Sequence, residues 1–103
     1  MSTMLHLVNK SPFERNALDS CLRLAEAGSS VLLLEDGVYA AMSKGAYAKA
    51  VGERMGDLTF YVLGPDVSAR GLDDSPLIDG INIVDYGGFV DLVVEHEVAQ
   101  SWL

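Results

Sequence analysis

The sequence predicts a three-layer α/β/α domain built on a mainly parallel sheet of four to five strands. Val31-Leu32-Leu33-Leu34 is the first observation behind this. Four consecutive aliphatic residues cannot alternate between core and solvent, so they read as a strand buried on both faces. Shorter apolar runs recur at residues 4–8, 58–63 and 81–84. Stretches of helical length, marked by capping and breaking residues, separate them. Strand and helix therefore alternate, which is the pattern of parallel strands joined by crossover helices.

Taken in order, Met4–Val8 is a mostly apolar first strand and Asn9-Lys10 turns the chain. Ser11-Pro12-Phe13-Glu14 then announces a helix: serine caps, proline suits the first position, and a glutamate three residues on completes a capping box. Ala17, Leu18, Cys21, Leu22, Leu24 and Ala25 form its apolar stripe, Arg15, Asp19, Arg23 and Glu26 lie opposite, and Gly28 is expected to cap the end. After the opening strand, Glu35-Asp36-Gly37 makes a stop and residues 37–55 read as a helix interrupted near Ser43-Lys44-Gly45. Residues 58–63 are rich in β-branched and aromatic side chains and give the third strand. Pro65 opens a short helix, residues 72–80 form a loop, and residues 81–84 form the fourth strand. Asp85 is expected to cap a last helix with Phe89, Val90, Val93 and Val94 facing inward, and the alternating tail from Val98 to Trp102 suggests a short edge strand.

The 103 residues fit one domain, 1–103, with half of them apolar, enough for a single core. Seven basic residues against fifteen acidic ones give a net charge of −8. Lys10, Arg15, Arg23, Lys44, Lys49, Arg54 and Arg70 are scattered, so no basic patch exists to hold nucleic acid. No apolar run reaches the roughly 20 residues needed to cross a bilayer. The start of the chain lacks the features of a secretion signal, so a cytoplasmic location is expected. A single cysteine excludes an internal disulfide and a multi-cysteine zinc site.

Few residues offer chemistry. Cys21 is the one soft nucleophile, but its mid-helix place on the apolar stripe, away from a cation or helix N-terminus, reads as a buried small hydrophobe. Glu35 and Asp36 stand where open α/β sheets bind ligands, although paired carboxylates at a strand end more often shape turns. Asp73-Asp74 reads as a solvated loop, and His6 and His96 lack metal-ligand spacing. Gly64-Pro65-Asp66 and Gly87-Gly88 do not form a glycine-rich phosphate loop, so neither a cofactor nor a metal is expected. Trp102 beside Leu103 is expected to fold back on the core or dock on another chain.

Several of these residues belong to a larger pattern. Leu5-His6 with Asn9-Lys10-Ser11-Pro12, the stretch from Leu33 to Ala41, Tyr61-Val62-Leu63-Gly64-Pro65-Asp66 with Ala69-Arg70-Gly71-Leu72, Val84-Asp85-Tyr86 with the stretch from Gly88 to Leu92, and Trp102 together resemble the TusB/DsrH family. The resemblance runs over essentially the whole chain. It implies the small subunit of a sulfur-relay complex, TusBCD or DsrEFH, a dimer of heterotrimers. The implied partners are DsrE/TusD-like and DsrF/TusC-like subunits and sulfur carriers of the DsrC/TusE type, with no direct nucleic acid and no membrane. Cys21 matches the first-helix cysteine of DsrH-like chains, and with the ending Ser101-Trp102-Leu103 it makes the chain resemble the DsrH branch, which serves dissimilatory sulfur oxidation. That makes Cys21 a candidate persulfide carrier by thiol exchange, although the resemblance assigns the principal sulfur-carrying cysteine to the DsrE/TusD-like subunit. The alternative within the family is the TusB branch, which relays sulfur for 2-thiouridine in tRNA. A rival of another class is a small-ligand or nucleotide-binding domain working at Asp36-Gly37.

Overall fold

The computed structural model describes residues 4–12, 16–96 and 98–102, without the side chain of Val98. The apolar runs form strands β1 (Met4–Val8), β2 (Ser30–Leu33), β3 (Thr59–Leu63), β4 (Asn82–Val84) and β5 (Val98–Trp102). Helices α1 (Ala17–Leu24), α2 (Ala48–Glu53), α3 (Gly64–Ala69) and α4 (Tyr86–Glu95) lie between them, with a 3-10 helix at Glu35–Ala41. The strands make one sheet in the order β4-β3-β2-β1-β5, and every neighbouring pair is parallel.

That order decides which helix covers which face. The steps from β1 through β4 all move in one direction, so right-handed crossovers put α1, α2 and α3 on one side. The last connection runs back across the sheet to β5, and α4 therefore lands on the other side. The core is split accordingly. Val8, Val31, Leu33, Phe60 and Val62 pack with Leu18, Cys21 and Leu22 of α1 on the first side. Leu5 and Leu32 pack with Leu92 of α4 on the second, with Tyr61 and Phe89 at the margin. All four residues of β2 are buried, as expected for the middle strand of a sheet covered on both faces.

Several local expectations are corrected. Of the capping box, residues 13–15 lie outside the described residues, and the described helix begins at Ala17 after Asn16, which makes no side-chain cap bond. Gly28 does not cap α1. The helix ends at Ala25, and Gly28 sits three residues on with φ +93°, its N–H bonded to Asp57 O at 2.8 Å. The C-terminal carbonyls of α1 are met instead by Arg54, whose guanidinium donates to Leu22 O and, at 2.8 Å, to Ala25 O. Leu24 does not join the buried stripe and is exposed, because α1 packs along Leu18, Cys21 and Leu22. The predicted helix over 37–55 is a 3-10 helix followed by α2, broken where expected, around residues 43–45. Asp85 does cap α4, accepting from Gly88 N at 2.8 Å. The helix's inward face differs from expectation: Leu92 is buried and Phe89 half-buried, whereas Val90, Val93 and Val94 are exposed.

Candidate functional site

Cys21 lies one helical turn beyond the start of α1 and is wholly buried, 0% exposed. Its neighbours are aliphatic, so burial pushes the thiol up to about 12, against a weaker opposing pull from the Arg54 charge. A thiolate is the species that attacks or carries sulfur. In this conformation Cys21 is neither ionised near neutral pH nor reachable.

The carboxyl ends of β2 and β3 hold the second set of candidates. The chain leaves β2 through Leu34, whose N–H bonds Val8 O at 3.1 Å, and enters the left-handed region at Glu35, φ +49°. Asp66 on α3 then fastens this corner, its Oδ2 accepting from Glu35 N at 2.6 Å. Arg70, the C-terminal cap of α3, donates from Nε to Asp36 Oδ1 at 2.9 Å and from Nη1 to Asp66 O at 3.2 Å. Glycine is required next because a Cβ on Gly37 would stand 2.1 Å from Val8 O. The Glu35 backbone N–H and the Asp36 carboxylate thus join the turn after β2 to Asp66 and Arg70 after β3, while the Glu35 side chain is exposed. Among the described residues no three of His, Cys, Asp and Glu gather as metal ligands.

Hydrogen bonds fix both histidines, two for His96 and one for His6. His96 Nδ1–H donates to Leu92 O at 2.6 Å and Nε2 accepts from the Ser30 hydroxyl at 3.0 Å, which ties the end of α4 to β2. His6 accepts at Nδ1 from Trp102 Nε1–H at 2.9 Å, so its neutral ring carries the proton on Nε2. That Nε2 is buried with no hydrogen-bond partner among the described residues, and burial lowers the pKa of His6. The His6 and Trp102 rings border a cleft of about 290 Å³ together with Met4, Leu24, Glu26, Ser29 and Gln100. Asp73 accepts from the Ser68 hydroxyl at 2.6 Å, and Asp74 is exposed on the loop. Leu103 is outside the described residues.

The structure therefore joins Glu35-Asp36 to Asp66-Arg70 and His6 to Trp102, and leaves Cys21 apart from both groups. The sequence reading missed Arg54 and Arg70. Asp66 in α3 and Arg70 at its C-terminal cap are four apart, a spacing that shares a face, and that signal was available. Arg54 has a local ion pair with Asp57, Nε to Oδ2 at 3.5 Å, but that pair does not announce its contact with α1, whose carbonyls lie 29 and 32 residues away.

Five parallel strands in the order β4-β3-β2-β1-β5, with helices on both faces, define the class: a small α/β domain. The solved structures similar to this chain share that architecture. The ychN protein from E. coli superposes with a TM-score of 0.86 at 18% identity, covering 98% of this chain and 99% of that one. MTH1491 from Methanobacterium thermoautotrophicum gives 0.75 at 18% identity over the same shares. At this identity the likeness concerns the fold. Sequence goes further. The family model described as DsrH like protein matches residues 10–99. Protein TusB of Pectobacterium parmentieri is 36% identical over 100 residues, 96% of this chain and all of the relative. Protein TusB of Klebsiella pneumoniae subsp. pneumoniae is 37% identical and that of Escherichia coli (strain K12 / DH10B) 35%, each over 99 residues with the same coverage. The chain belongs to the TusB/DsrH family.

Proposed function

We propose that this chain is the TusB-type subunit of a cytoplasmic sulfur-relay complex, assembled with TusC-like and TusD-like chains and serving 2-thiouridine formation in tRNA. The observation that carries this reading is the full-length match to several relatives called Protein TusB. It moves the branch away from DsrH, to which Cys21 and the terminal residues pointed. The burial of Cys21 supports the move, since a relay thiol must meet its donor and acceptor. On this reading the persulfide forms on a partner subunit, and Cys21 fills space under α1. No helix among the described residues is long and apolar enough to cross a membrane, which agrees with a cytoplasmic place. The rival ligand site at Asp36-Gly37 loses support because Arg70 and Asp66 already occupy that corner.

Deleting the gene and measuring 2-thiouridine in bulk tRNA by nucleoside mass spectrometry tests the reading. Loss of the nucleoside, restored by both the wild-type gene and Cys21→Ala, is expected. Unchanged thiolation with impaired sulfur oxidation would return the chain to the DsrH branch. Rescue by wild type but not by a folded Cys21→Ala would make Cys21 a sulfur carrier after all.

A further inference from the structure

Helix α4 is the one described helix on its face of the sheet, and only one side of it is used. Leu92 points into the core. Tyr86 and Val90 are 60% exposed, Val93 43% and Val94 78%. Positions 86, 90, 93 and 94 recur at helical spacing, so they form a continuous stripe over two turns. Phe89 joins Val90, Val93 and Val94 around a shallow apolar hollow of about 160 Å³. Valine is a poor helix former because its branched side chain loses rotamer freedom against the preceding turn. Three largely exposed valines on a ten-residue helix cost helix stability and recover only part of their burial in the isolated chain.

The charge on α4 says what covers the stripe. The helix and its cap carry Asp85, Asp91 and Glu95, and the sequence from Gly71 onward contains no Lys or Arg. On α4 itself the exposed Asp91 and Glu95 flank the apolar stripe. A second copy placed here would bring two acidic segments together, and like charges juxtaposed at an interface oppose docking.

We infer that the outer face of α4, Tyr86-Val90-Val93-Val94, docks a non-identical protein chain whose apolar surface is edged by lysine or arginine. The inference rests on the proposed heteromeric role and names the face used for it. An apolar centre with a charged rim is the usual anatomy of such a contact. The rim sets the partner's charge and speeds encounter, while the valines and Tyr86 hold the complex.

Co-expression with the TusC-like and TusD-like chains of the same organism, followed by purification and light scattering, provides the test. Wild type is expected to co-purify with them. Val90→Lys/Val94→Lys is expected to lose at least 100-fold in affinity while the isolated variant melts cooperatively, since both sites already face solvent. Asp91→Lys is expected to weaken the complex several-fold, with a shallower salt dependence. Hydroxyl-radical footprinting of the wild-type complex adds a measurement free of mutation, in which Tyr86 should become several-fold less reactive than in the isolated chain. A folded Val90→Lys/Val94→Lys chain that binds as wild type, or an unprotected Tyr86, overturns this assignment and leaves the heteromeric role standing. Failure of wild type to bind either chain overturns both. A homodimer of the isolated chain that Val94→Lys dissolves makes the occupant a second copy and overturns the inference.

Discussion

The Trp102 indole N–H donates to His6 Nδ1 at 2.9 Å, with ring centroids 5.9 Å apart and planes tilted by 40°. The two residues sit on adjacent strands, where His6 pairs with Gln100 and Trp102 lies two residues further along β5. Such diagonal neighbours share a face of the sheet and are within reach of an aromatic side chain. The bond fastens the edge strand β5 to β1 and answers why a tryptophan stands at the end of the chain.

Trp102→Phe keeps an aromatic ring but removes the donor, leaving the buried His6 without a partner on either nitrogen. A loss of about 1–3 kcal/mol in urea unfolding is expected, with a larger loss for Trp102→Ala, which also removes the ring.

The burial of His6 makes stability depend on pH. Burial lowers the His6 pKa below its ordinary value of 6.5. The unfolded chain then binds more protons than the folded one between the two pKa values, so stability rises with pH there. The contribution is complete above about 6.5, declines as pH falls below it, and is gone below the folded pKa. Thermal melts from pH 8 to pH 5 should show this decline in wild type and a smaller one in His6→Asn.

Cys21 is expected to behave oppositely. Its thiol pKa is raised from 9.0 to about 12, so its contribution is full below 9 and is lost as pH rises from there toward 12. At pH 8 a thiol-specific reagent should modify it only at the rate of unfolding, and urea should accelerate the reaction in step with loss of ellipticity. Cys21→Ser should destabilise more than Cys21→Ala, because a hydroxyl without a partner is costly in an apolar core.

Two glycines are expected to respond in opposite directions to alanine. At Gly37 the new Cβ would stand 2.1 Å from a backbone oxygen, so Gly37→Ala should cost about 1–3 kcal/mol or more. At Gly52, within α2, nothing lies within 4 Å of an added Cβ, so Gly52→Ala should stabilise by roughly 0.5–1 kcal/mol. Paired urea titrations would show both signs.

The bonds of Arg54 to Leu22 O and Ala25 O give the last prediction. Arg54→Lys keeps the charge but offers a flexible ammonium in place of the planar fork. It should recover only part of the roughly 1–3 kcal/mol lost in Arg54→Met. Amide exchange should show the last turn of α1 opening first in both variants.

Much of this protein was legible one residue at a time. The run from Val31 to Leu34, the β-rich stretch from Leu58, Pro65 at the first turn of α3 and Asp85 at the cap of α4 all act through neighbours a few residues away. The family was legible too, because its motifs lie in order along the chain. The errors share a cause. Gly28 was assigned the end of α1 that Arg54 holds from across the fold. Asp36, a candidate for a ligand, has its carboxylate taken by Arg70, and the turn it stands in is fixed by Asp66 at the Glu35 N–H. The valines of α4 were placed inward because apolar residues usually are.

The sequence by itself determined the alternation of strand and helix, the strand that sits in the middle, and the shortage of reactive groups, since these follow from local pattern and residue chemistry. Only the tertiary structure decided which candidates were already spoken for and which apolar face was left over. Sheet order makes α4 the one described helix on its side, and a single helix with two apolar sides can bury only one of them against the sheet. The other side, Tyr86-Val90-Val93-Val94, faces outward because nothing further among the described residues covers it.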